Sequence, residues 1–205
     1  MRLSPERSST LHMNYEIFRF FNQFAGKFDS FDDLMEFCAQ GIVWIQLAIM
    51  ACFWISAKTR YQKTVFYAGL SSAVSLLLAA FLISPAVNHP RPFATHDVNQ
   101  LIPHIADASF PSDHATLAFA IAFSVWFAHR RLGVAMLGLA VLTGIARIYV
   151  GVHYPADIAG AIALSAIVSF VIYRTNGKLD PIPTGLIRLY GKLAEKIKFL
   201  PRAEK

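Results

Sequence analysis

Charge is scarce in this 205-residue chain: Asp, Glu, Lys and Arg together make up 16% of it. A soluble domain carries about 25%. With hydrophobic residues at 55% and a mean hydropathy of +0.44, the deficit excludes an ordinary water-soluble globule and indicates a membrane protein. Cysteine is nearly absent. Cys38 and Cys52 lie 14 positions apart, roughly 21 Å if both sit on one helix. That separation excludes a bridge between them within one chain. Acidic residues are outnumbered, giving a net charge of +6. The excess base does not mark a nucleic-acid binder, because it is not spread over a soluble face. It gathers in short connections and from Arg174 onward, where eight Lys/Arg face three acids. That pattern fits a cytoplasmic tail beside anionic lipid. Internal repeats and low-complexity segments are missing, as is a signal-peptide pattern.

What is present is a series of apolar runs, at about 37–57, 64–86, 114–129, 132–149 and 155–173. Each is near the length of about 20 residues that spans a bilayer. The expected fold is all-α: a polytopic integral membrane bundle of five or six helices with its active site at the extracytoplasmic face. Residues 1–12 are expected to be a disordered leader, 13–173 the membrane-embedded domain and 174–205 a basic amphipathic cytoplasmic tail. Residues 14–27 carry Ile17, Phe18, Phe21 and Phe24 at helical spacing, which predicts an interfacial helix. Asp29 or Ser30 is expected to cap a short second helix. The connections around 58–63 and at "HRR" (129–131) are basic and therefore expected inside. The long 87–113 connection and "RIYVGVHYP" then fall outside.

That topology brings reactive residues to one membrane level. His114 opens the third run, Arg147 closes the fourth, and His153 and Asp157 flank the start of the fifth. Arg91 and Ser112 lie on the same side. Two guanidinium forks match phosphate oxygens. Ser112 adds a hydroxyl, and the start of a helix favours an anion. One histidine can attack phosphorus if a carboxylate holds its other nitrogen, and Asp157 is four residues from His153. The second histidine, His114, can protonate the leaving oxygen. The set suffices for phosphoryl transfer through a phosphohistidine with no metal and no cofactor. His89, His96, His104, Asp97 and Asp107 do not repeat at a tight ligand spacing, so no metal site is expected among them. His104, Asp107, Asp113 and Ser84 are candidates for contact with the substrate.

"NHPRPF", "PSDH" and "RIYVGVHYPAD" resemble the three signatures of the type 2 phosphatidic acid phosphatase superfamily: K-x6-R-P, P-S-G-H and S-R-x5-H-x3-D. Arg91-Pro92, then Pro111, Ser112 and His114, then Arg147, His153 and Asp157 match in order and spacing. Three positions depart: Ser84 stands where the family has lysine, Asp113 where it has glycine, and Ala146 where it has serine. "LIPHIADASFPSDH", "MNYEIF" and "RPF" are similar to the bacitracin-resistance type of undecaprenyl pyrophosphate phosphatase. The resemblance implies hydrolysis of that lipid in a bacterial inner membrane, recycling the carrier for cell-wall synthesis and conferring bacitracin resistance. It implies Arg91, Ser112 and Arg147 as the phosphate grip, His153 as nucleophile, Asp157 as its orienter and His114 as general acid. Other lipid phosphates (phosphatidylglycerol phosphate, diacylglycerol pyrophosphate, lipid A) and non-catalytic lipid transport are the alternatives.

Overall fold

A computed structural model describes residues 5–196 of the chain. Those residues are helical or irregular, with no strand among them. The helices are α1 (Pro5–Asn22), α2 (Asp29–Ile55), α3 (Thr59–Leu78), α4 (Ser84–Val87), α5 (Pro92–Thr95), α6 (Asp113–Ala128), α7 (Arg130–Tyr149), α8 (Pro155–Leu179) and α9 (Pro181–Lys196). A π-helical segment, Ala79–Ile83, joins α3 to α4. Four stretches are long and apolar enough to span a membrane: Asp29–Ile55, Thr59–Thr95, Arg130–Tyr149 and Pro155–Leu179. The shorter α6 is the most enclosed, with Ala115, Ala118, Ala120, Ala122 and Val125 fully buried. Central position explains its composition: small residues let α3, α7 and α8 approach from several sides.

Polar contacts tie the helices where hydrocarbon offers no alternative partner. Gln46 of α2 donates to Met136 O at 3.1 Å. Ser165 of α8 donates to Thr116 O at 2.8 Å. Cys38 and Cys52 are both on α2 and both free.

Three expectations at the N-terminal side are corrected. Residues 5–12 are helical rather than unstructured, because extending an anchored helix backwards costs far less than nucleating one; residues 1–4 lie outside the described residues. α1 is not simply an interfacial helix. Phe18 is buried edge-on against Tyr154, and Asn22 donates to Asn99 O at 2.7 Å and Tyr149 O at 2.8 Å. Asn14 accepts from Ala156 N at 2.9 Å, at the start of α8. The second helix is not short and is not capped by Asp29 or Ser30. Phe28 occupies the cap position without a side-chain bond, and α2 runs on into the first apolar run. The first basic connection also shrinks to 56–58, placing Arg60 and Lys63 in the opening turns of α3.

α6 and α7 meet through a hairpin whose close approach depends on Gly133. A Cβ there would stand 2.1 Å from the backbone Cα of Trp126. Gly133→Ala is therefore expected to cost about 1–3 kcal/mol, lowering the detergent melting temperature by roughly 5 °C. Gly138→Ala, on the same helix with open space around it, should leave the melting curve in place.

Candidate active site

The cluster forms at one end of the bundle, where Asn88–Ser112, the 150–154 connection and the first turns of α6 and α8 meet. Gly151, at φ +86, makes the sharp reversal after α7. Its Cβ would stand 2.7 Å from Asn99 O, so glycine lets the two loops touch. The reversal returns His153 beside Arg147, the last-turn arginine of α7. Pro155 at the first position of α8 starts that helix, and Asp157 then faces back towards His153.

Asp157 is fully buried. Its Oδ2 accepts from Tyr154 N at 2.8 Å, accepts from Ser109 Oγ, and lies 3.4 Å from His153 Nδ1. Ser109 Oγ is also 3.3 Å from that same Nδ1. On the other side of the ring, Arg91 Nη1 is 3.1 Å from His153 Nε2 and donates to Val152 O at 3.0 Å. A guanidinium only donates. Nε2 is therefore the unprotonated, lone-pair nitrogen, and Nδ1 carries the proton. Burial holds the His153 imidazolium below the ordinary histidine range; the bond to Asp157 opposes this and the Arg147 charge adds to it. The ring is thus neutral, with its lone pair on Nε2 facing Arg91.

Arg147 is 1% exposed, and its Nε and Nη2 have no hydrogen-bond partner among the described residues. Two buried, unpaired N–H groups of a cation call for an oxyanion. Ser112 caps α6: its Oγ accepts from Ala115 N at 3.5 Å, leaving its own O–H to donate. His114, in the first turn of α6 and partly exposed, stands in the electrostatic field of Arg147, His104 and Arg91. Asp113 is exposed beside it, in the field of the same two arginines.

Of the four candidates for substrate contact, three border the cluster. The His104 ring packs edge-on to His153 at 6.2 Å between centroids. Asp107 takes the Arg91 Nε hydrogen bond at 2.7 Å while remaining 57% exposed. Burial would raise the Asp107 carboxyl, but Arg91 outweighs it and holds it below the usual range. Asp113 is the third. Ser84, by contrast, opens α4 immediately after the π-helical segment, and among the described residues its side chain makes no hydrogen bond to the cluster. Two residues were not singled out from sequence as parts of the site. Ser109 bridges His153 and Asp157 across 44 and 48 positions. His89 Nδ1 is 4.0 Å from Asp157 Oδ1, an oxygen otherwise without a partner. Ser109 precedes the P-S-x-H pattern by two positions, and no periodicity marks it.

No three His, Cys, Asp or Glu side chains among the described residues are grouped as a metal would require. A separate cavity of about 230 Å³ lies at the opposite end, between α3, α6 and α8, and contains none of the cluster.

The model of the PAP2 superfamily matches residues 63–180. The chain is 35% identical to the undecaprenyl-diphosphatase BcrC of Bacillus subtilis, over 92% of this chain and 97% of that one. It is 33% identical to the bacitracin transport permease protein BcrC of Bacillus licheniformis, over 90% of this chain and 91% of that one. The crystal structure of a transmembrane PAP2-type phosphatidylglycerolphosphate phosphatase from Bacillus subtilis superposes with a TM-score of 0.64, at 19% identity, covering 83% of this chain and 87% of that one. This last is a likeness of fold.

Arg147's free N–H groups predict that a tetrahedral oxyanion stabilises the folded protein by mass action. Millimolar inorganic phosphate should raise the melting temperature relative to chloride at equal ionic strength. Arg147→Gln should abolish the difference.

Proposed function

This chain belongs to the PAP2 superfamily and is a multi-pass membrane protein, and on that premise we propose that it hydrolyses undecaprenyl diphosphate to undecaprenyl phosphate and inorganic phosphate. The observation that carries the reading is the neutral His153, with Nε2 as its lone-pair nitrogen, in one cluster with the unsatisfied guanidinium of Arg147. The substrate follows from full-length similarity to a relative named for that activity. The consequence would be carrier-lipid recycling for cell-wall synthesis and resistance to bacitracin. The lipid's tail stays in the bilayer while its diphosphate enters the cluster, which accounts for a site at helix ends.

In the proposed sequence, Arg91 turns from His153 Nε2 to the terminal phosphate, and Arg147 and Ser112 take its other oxygens. Nε2 attacks the terminal phosphorus as the bond to the bridging oxygen breaks. The arginines stabilise the charge on the equatorial oxygens, where electrostatic preorganisation contributes most. His114 gives its proton to the bridging oxygen, releasing undecaprenyl phosphate. His114 then takes a proton from water as that water attacks the phosphohistidine, releasing inorganic phosphate and restoring both histidines. The chain needs no cofactor for this sequence.

The basic groups Arg60, Lys63, Arg130 and Arg131 lie at the end opposite the cluster, where Lys63 pairs with Asp180 at 2.7 Å. The positive-inside rule then supports an extracytoplasmic site and a cytoplasmic C-terminal helix in a bacterial inner membrane. The name of the Bacillus licheniformis relative favours transport as a second reading. Transport alone would not require His153 to be held in one tautomer by a buried carboxylate.

Phosphate release from undecaprenyl diphosphate in detergent should persist in excess EDTA. It should fall by at least about 10³-fold in His153→Ala and by about 10²–10⁴-fold in His114→Ala. Release that survives loss of His153 would eliminate it as nucleophile; silence on every lipid phosphate would favour transport. The folded-state pKa of His153 is lowered, so its lone pair is lost only as pH falls through that depressed value. The acid limb of kcat/KM, corrected for ionisation of the substrate, is therefore expected below the ordinary histidine value of about 6.5.

A further inference from the structure

We propose that Ser109 is a positioning residue of the reaction, part of a hydrogen-bond relay in which it and Asp157 together take the Nδ1–H of His153 while its own hydroxyl donates to Asp157. The inference deepens the phosphatase reading above and rests on it.

The direct contact between His153 Nδ1 and Asp157 Oδ2 is 3.4 Å. A charge-assisted N–H···O bond is ordinarily about 2.7–2.9 Å. Ser109 sits beside that contact, within reach of both groups. It is fully buried, its Oγ is 3.3 Å from Nδ1, and its hydroxyl donates to Oδ2. The proton assignments leave little freedom. Arg91 Nη1 can only donate to Nε2, so Nδ1–H must find an acceptor on the other side of the ring. Asp157 Oδ2 at 3.4 Å and Ser109 Oγ at 3.3 Å share it, the serine oxygen as a second acceptor. Its own proton then goes to Oδ2, which also receives Tyr154 N at 2.8 Å.

Ser109 is itself fixed by its backbone, since its N–H donates to His89 O at 2.7 Å. The "NHPRPF" loop therefore sets the height of the serine as well as that of Arg91. When Nε2 bonds phosphorus, the ring becomes cationic and Nδ1–H a stronger donor. The relay then strengthens without any proton changing owner, and it keeps the ring from rotating during attack. The groups facing this pair are Arg91, Arg147 and His104 around His153, and His89 near the second oxygen of Asp157.

The test is Ser109→Ala in the full-length protein, assayed against undecaprenyl diphosphate and, in parallel, against phosphatidylglycerol phosphate. An orienting partner of a functional histidine is typically worth about 10- to 100-fold. The expected result is a kcat lower by that factor with KM nearly unchanged. Inorganic phosphate should still raise the melting temperature. Without the serine donor, the negative charge of Asp157 acts more strongly on the imidazole, so the acid limb of kcat/KM should move to higher pH. An unchanged kcat and acid limb would overturn the relay. Loss of the phosphate-induced melting shift together with activity would make Ser109 a structural residue and overturn it as well. Wild-type silence on undecaprenyl diphosphate with turnover of the other lipid would reject only the substrate, and the relay would still be judged on the lipid that is cleaved.

Discussion

A buried carboxylate organises the reactive end of this protein. Asp157 has no access to solvent, and an ionised group in such a place is costly unless donors surround it. Its Oδ2 gathers a backbone N–H from Tyr154, the hydroxyl of Ser109 and the Nδ1 side of His153. Those donors come from the turn before α8, the long loop before α6 and the connection after α7. Satisfying one anion therefore fixes the relative positions of three segments, and the orientation of the His153 ring is a by-product of that satisfaction.

The arginines divide two tasks that sequence alone makes look alike. Arg91 is engaged at rest through its Nε, with Asp107, and its Nη1, with Val152 O and His153 Nε2. It assigns the tautomer of the histidine and screens its lone pair until an anion competes for the guanidinium. Arg147 is the reverse: buried, but with two N–H vectors unused. One cation is thus held ready by protein partners, and the other waits for an oxyanion. Asp107 belongs to the same logic, as an exposed carboxylate that occupies Arg91 and can be exchanged for a phosphate oxygen.

The bundle beneath contributes rigidity and a level surface. α6 is apolar almost throughout and is enclosed by its neighbours. His114 and Ser112 at its start therefore sit on an element that packing holds in place. α1, bound through Asn22 and Phe18, clasps the loops from the side. In the proposed reaction, a cluster at the rim lets a long lipid present its headgroup without leaving hydrocarbon.

How much of this was legible beforehand follows from the range of each interaction. Hydropathy runs are local, so the helices on the five apolar runs and the end of the bundle shared by Arg91, His114, Arg147, His153 and Asp157 could be read from residue order alone. The three motifs carried the family for the same reason: each is a few residues with fixed internal spacing. α1's role as a clasp, the missing cap at Asp29 and the distance of Ser84 from the cluster depended on contacts with distant residues, and composition was a poor guide to them. By itself the sequence determined a helical membrane bundle of the PAP2 superfamily with Arg91, Ser112, His114, Arg147, His153 and Asp157 near one rim. Only the tertiary structure decided which nitrogen of His153 is free, that Ser109 contacts both the other nitrogen and Asp157, and that Arg147 is the unsatisfied cation. Hydrogen-bond partners separated by more than forty residues are set by how helices pack, and packing leaves no periodic mark in the chain.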